Sequence, residues 1–129
     1  MSTQGNQQDS PLTYLNGDTG VIPSNSLVTL TSTPGSVVCC AADGVPVGIA
    51  DGDIGMGSYG SFKTMQGRVG VHAASLVAIA AGDFCAADDA GCVKQDTGVA
   101  LTANTIGQAE TAVSGDTGAG VQLFIVCRG

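Results

Sequence analysis

Three groupings in this chain have the residue types that chemistry requires. The stretch DGDIGMGSYG (51–60) spaces Gly55, Gly57 and Gly60 as G-x-G-x-x-G. That spacing lets a backbone approach a pyrophosphate where a strand turns into a helix. An acid, Asp83, follows roughly twenty residues on, where a ribose-binding carboxylate would stand. The same stretch reads D-x-D-x-G at Asp51, Asp53 and Gly55, half of an EF-hand loop. The third grouping is one histidine, His72, with five cysteines, the raw material of a nucleophile–base pair or a zinc site.

Each centre needs a particular scaffold, and the flanking residues do not supply it. After Gly60 the chain alternates: Met65, Gly67, Val69 and Val71 fall on one side, with Gln66, Arg68, Gly70 and His72 on the other. A period of two is a strand. Without a helix N-terminus nothing holds a pyrophosphate, so the glycines are loop and bend positions. In the EF-hand register the glycine comes one place early, and Phe62 stands where a bidentate Glu closes the shell. His72 ends the valine strand beside no nucleophile motif. Asp88 and Asp89 are adjacent acids at a hairpin tip, ordinary solvated turn formers. The cysteines form no C-x-x-C, and Cys39 and Cys40 point to opposite faces of a strand. They read as free, small, buried apolar groups. No catalytic, cofactor-binding or metal residue is nominated, and no cofactor is expected.

The elements around these residues are short strands cut by turns. LVTLT (27–31) ends at STPGS, and SVVCCAA (36–42) is a continuous apolar run. Asp43-Gly44 is a hairpin signal before VPVGIA, with Pro46 suited to an edge or bulge. AASLVAIAA (73–81) reads equally as a short helix or a buried extended segment. DFCAA and CVKQ form a hairpin around Asp88–Gly91, with Gly91 at a left-handed bulge. TIGQAETA (105–112) and AGVQLFIVC (119–127) form another around SGDTG. No repeat is visible. The expected fold is all-β: a small β-barrel or β-sandwich of short antiparallel strands with at most one short helix, preceded by an extended N-terminal arm.

Composition narrows the function. Four basic residues against eleven acids give a net charge of −7, and Lys63, Arg68, Lys94 and Arg128 are too scattered to track phosphates. Nucleic acid is excluded as a partner. VHAASLVAIAA (71–81) is about half the length of a membrane helix, and the first ten residues have no secretory signature. The chain therefore reads as made in the cytoplasm, with no membrane partner. Aromatics are only 4% while glycine reaches 20 residues, so side chains bury little area each, and association with a partner or further copies is favoured.

Two regions are candidates for that association. Residues 1–25 are polar apart from Leu12, Tyr14, Leu15, Val21 and Ile22. They are expected to be an arm whose apolar residues anchor on a partner, leaving 26–129 as a single β-rich domain. In the last strand Val121, Leu123, Ile125 and Cys127 share one face, while Phe124 and Val126 make the other apolar too and are expected to pack on a subunit or partner.

From about Gly48 onward an order of features stands out. It runs from GRVGV (67–71) through AAGD (80–83), ADDAGCV (87–93) and an IG-x-A strand at Ile106, Gly107 and Ala109 to GVQLFIV (120–126). In this it resembles the capsid decoration, or cement, proteins of tailed bacteriophages. The resemblance implies a structural virion protein without catalytic residues. It would bind the major capsid protein on the outer surface of an icosahedral head as a homo-oligomer (a trimer ahead of a dimer), cement adjacent capsomers and resist internal pressure. Another virion surface component, such as a fibre, tail or adhesin module, is the alternative, followed by a small β-barrel ligand carrier.

Overall fold

Ten short strands carry the chain, and none is long enough to bury an apolar face within a single flat sheet. In the computed structural model, which describes residues 12–74, 77–96, 102–114 and 121–127, they curl into two closed five-stranded barrels. Closure removes the open edges that so short a strand set would otherwise expose.

The first barrel comprises β1 (Leu12–Asn16), β2 (Leu27–Leu30), β3 (Ser36–Cys39), β4 (Gly48–Ala50) and β5 (Tyr59–Lys63). Its strands run in the order β1-β3-β2-β4-β5, and β1 closes back on β5. All neighbours are antiparallel except β1 and β3. Alternation places Val28, Val37, Ala50 and Phe62 inside, where Tyr14 meets the Phe62 ring at 5.6 Å between centroids. The second barrel comprises β6 (Arg68–Ala73), β7 (Phe84–Ala87), β8 (Val93–Gln95), β9 (Thr105–Ala109) and β10 (Val121–Cys127). Its order is β6-β8-β7-β9-β10, closed by β10 on β6, with β6 and β8 the parallel pair.

These are the same barrel twice. Gly17 donates to the Val37 carbonyl as Ala74 does to that of Val93, which equates β1–β3 with β6–β8. In that register Leu12↔Phe62 corresponds to Val69↔Ile125, and Leu27↔Ile49 to Phe84↔Gln108. Isolated bridges repeat as well, Ile22↔Ile54 and Ile79↔Val113. So do the turns leading into β2 and β7. Asn25 and Gly82 both have positive φ and donate to the carbonyls of Ala50 and Ala109. Even a close approach recurs, since a Cβ on Gly48 or Gly107 would meet the carbonyl oxygen of Lys63 or Val126 at 3.0 or 2.7 Å.

Several expectations change here. The β-rich region holds two barrels joined through residues 64–67, with all of β1 belonging to the first. Residues 12–16, expected in an arm, are needed because the barrel closes only through a strand between β3 and β5. The remainder of that arm, residues 1–11, lies outside the described residues. Asp43-Gly44 is a turn without a hairpin: β3 and β4 lie on opposite sides of β2. The ambiguous 73–81 segment is extended where described, with Ile79 in its bridge. The β7–β8 hairpin is present, closed by a 3₁₀ turn over Asp89–Gly91 in which Ala90 and Gly91 have positive φ. The β9–β10 pair forms as expected, although its turn at 115–118 lies outside the described residues.

The barrels pack directly on each other. Leu27, Cys40 and Ile49 leave the first barrel and complete the core of the second, alongside Val71, Val93, Val113 and Leu123. Gly91 donates to the Cys40 carbonyl at 3.0 Å, Asp43 to that of Ala87 at 2.8 Å, and Lys94 pairs with Asp43 at 3.1 Å. Gly91 has to be glycine. A Cβ there would stand 2.8 Å from the Leu27 oxygen, and its φ of +75° is one that L side chains resist.

Candidate functional site

The residues singled out for chemistry turn out to build loops. Gly55 and Gly57 shape the connection from Ile54 to Ser58, and Gly60 lies in β5 with Ile54 packed over it. Asp51 pairs with Lys63 at 3.7 Å, and Asp53 accepts from the Ser24 N–H at 2.8 Å. Asp83 closes its own turn by accepting from the Ala80 N–H and receives the Gln95 amide. Asp88 caps the 3₁₀ turn, and Asp89 reaches across the junction to the Ala42 N–H at 3.0 Å. His72 is half-buried on β6, opposite Gln122. Among the described residues no three His, Cys, Asp or Glu side chains converge as a metal site.

Acids in this molecule therefore act as clips on backbone and hydroxyl donors. The Cys39 N–H and then that of Thr19 hold the Asp18 carboxyl below its ordinary pKa. The hydroxyls of Thr102 and Thr105, each 2.6 Å from one Asp96 oxygen, do the same to Asp96. The described bases are neutralised in turn, because Lys63, Arg68 and Lys94 each pair with an acid. All five cysteines are free thiols. Burial pushes the pKa of Cys39 up to about 11 and those of Cys40 and Cys85 up to about 12. A thiol held so far above neutrality is a packing group and a poor nucleophile.

What remains is surface. Of the expected arm anchors, Ile22 is fully buried, and Leu12 and Tyr14 pack against the first core; Leu15 is half-buried on β1 and Val21 is 59% exposed. Phe124 is half-buried beneath Arg68, whose guanidinium lies 3.9 Å from the ring centroid, and Val126 is exposed. Val21 has neighbours that the sequence did not flag, Met56 and Tyr59, which are 64% and 72% exposed. Buried Asn16 ties their loops together. Its side-chain amide donates to the carbonyls of Gly20 and Ile54, and its own carbonyl accepts from Gly57. Val21 and Met56 on the two adjoining loops, and Tyr59 at the start of β5, are thus large apolar residues left exposed, and Met and Tyr are residue types enriched in interfaces. In the second barrel the places of Val21 and Tyr59 are taken by Ala78 and Gln122, so this exposed set is particular to the first. Met56 is a single apolar residue in a glycine-rich loop and Tyr59 opens β5 just after it, and no periodicity marks them.

No protein-family model matches the sequence, and no curated protein matches it. The structure does find a counterpart. It is similar to the crystal structure of the head fiber gp8.5 N base in bacteriophage phi29, with a TM-score of 0.73. The two chains share one fold. The likeness covers 92% of this chain and 93% of that one, so both barrels take part, at 13% sequence identity.

Proposed function

We propose that this chain is a structural, non-enzymatic component of a phage virion, attached to the outside of the head as the base of a surface structure. The observation that carries this reading is the likeness of the entire two-barrel unit to a head-fibre base. The acids and thiols are engaged in loop closure and packing, in keeping with a protein that works by binding. The partner is the major capsid protein, met through exposed Val21, Met56 and Tyr59, with Leu15 beside Tyr59 in the β1–β5 register.

A cementing role follows from attachment by a homo-oligomer. Each chain brings one such set of exposed apolar residues, and a trimer, the oligomer that decoration proteins suggest, would contact three neighbouring capsid proteins at once.

Co-sedimentation with undecorated phage heads tests attachment. Saturable binding is expected, and the double variant Met56→Ser, Tyr59→Ser should lose it while melting like the parent, since both residues are exposed. Unchanged binding by that variant would move the contact elsewhere, and no binding by the parent chain would refute attachment. Cementing is tested separately, by whether bound heads release DNA at a higher temperature than bare heads.

A further inference from the structure

Within one chain the two barrels meet head to tail. The hairpin end of the second barrel, around Ala87–Gly91, sits against Leu27 of β2 and the segment Cys40–Asp43 that follows β3, with Ile49 of β4 paired to Leu27 in the shared core. Because the barrels are equivalent, each owns both kinds of surface, and one of each is left over. Among the described residues these are the β2–β3 hairpin end of the first barrel and the β7–β9 side of the second, the counterparts of Ala41–Asp43 lying outside the described residues.

Both free surfaces retain features of the occupied ones. Gly35 has φ +77°, nearly that of Gly91 at the corresponding hairpin tip, yet a Cβ on it would meet nothing within 4 Å. Beside that tip Leu30 is 52% exposed, although its counterpart Ala87 is fully buried. Val38, half-buried on the outside of the same hairpin, joins neither core. On the other free surface Phe84 takes the place of Leu27. It too is half-buried and joins neither core, and it is paired with exposed Gln108.

We propose that a second copy of this chain docks its β2–β3 hairpin on the β7–β9 side of the first, repeating between chains the contact that joins the barrels within one. Such a contact is heterologous, so each chain offers a hairpin to one neighbour and a β7–β9 side to another, and a ring forms where the rotation closes. Gln108 and Asp96 stand where the internal junction has Ile49 and Cys40, which makes the contact between chains more polar and weaker than the internal one. The proposal gives the homo-oligomer its interface and requires no capsid, so it is tested in solution independently of head attachment.

The experiment is light scattering on the full chain across a concentration series, with Leu30→Asp and Gln108→Arg as variants. Both positions are exposed, and each variant should melt within a few degrees of the parent. Parent mass should rise above that of a single chain, and each variant alone should stay a single chain. An equimolar mixture of the two variants should form two-chain particles and nothing larger. In that mixture one partner keeps an intact hairpin and the other an intact β7–β9 side. Single chains of the parent at concentrations up to about 1 mM would overturn the proposal, as would undiminished assembly of either variant. A variant mixture that fails to pair would overturn it too, because that is how an isologous contact behaves.

Discussion

Leu27 and Ile49 in the first barrel hold the same places as Phe84 and Gln108 in the second, outside the barrel wall and paired across neighbouring antiparallel strands. The first pair is fully buried, whereas Phe84 is half-buried and Gln108 exposed. Local geometry is the same, so the strand does not choose the residue. The neighbour does: the second barrel lies on Leu27 and Ile49 and incorporates them into its own core. Gly91 and Gly35 repeat the lesson at the hairpin tips, with matching φ and only one of them covered. The two copies thus differ where one of them supports the other.

The sharpest way to break this comparison is to exchange the residues. Ile49→Gln places an amide in the junction core and should destabilise the protein by about 4 kcal/mol in urea unfolding, from lost apolar burial plus an unsatisfied polar group. Gly91→Ala combines a left-handed φ with a Cβ driven at the Leu27 carbonyl, and a loss of about 2–3 kcal/mol is expected. The control, Gly35→Ala, has the φ without the collision and should lose about 1 kcal/mol. Equal losses at the two glycines would mean that the junction is not packed as described.

Smaller effects come from the clips and the free surface. Asp96 and Asp18 have folded pKa values below the ordinary carboxylate value, so the stability they contribute is present above about pH 4 and is lost as pH falls through their lower folded values. Asp96→Asn should therefore be less stable than the parent at pH 7, with the gap closing near pH 3. A gap that does not change with pH would remove the charge from the explanation. Smallest of all, Gln108→Ile should alter monomer stability by no more than about 0.5 kcal/mol, against the large effect of the reverse exchange at position 49.

Strand positions were legible because alternation and turn residues are local signals. Val69 and Val71 show the strand that excluded a nucleotide site, and Asp88–Gly91 show the hairpin. The duplication was not legible. Inside the barrels equivalent positions preserve burial more than identity, as Val28 against Cys85 or Phe62 against Ile125, and the connections before β9 and β10 are longer in the second barrel. Asp43-Gly44 misled for a related reason. A D-G pair specifies a turn, and only the order of strands around the barrel says whether the flanking strands pair. The arm misled because Leu12, Tyr14 and Ile22 are sparse in a polar stretch, and their burial depends on strands β3 and β5 and on Ile54, at least fourteen residues away in sequence.

By itself the sequence determined the all-β character, the strand that follows Gly60 where a phosphate-cradling helix would have to start, and the scarcity of positive charge, because each follows from residue type and near-neighbour spacing. The tertiary structure alone decided that there are two barrels instead of one, that the described acids are clips, that Leu27 and Ile49 are core while Gln108 is surface, and that Val21, Met56 and Tyr59 are left exposed. Those outcomes depend on which distant strands close against each other, a choice made by burial summed over the whole chain that no short stretch of it encodes.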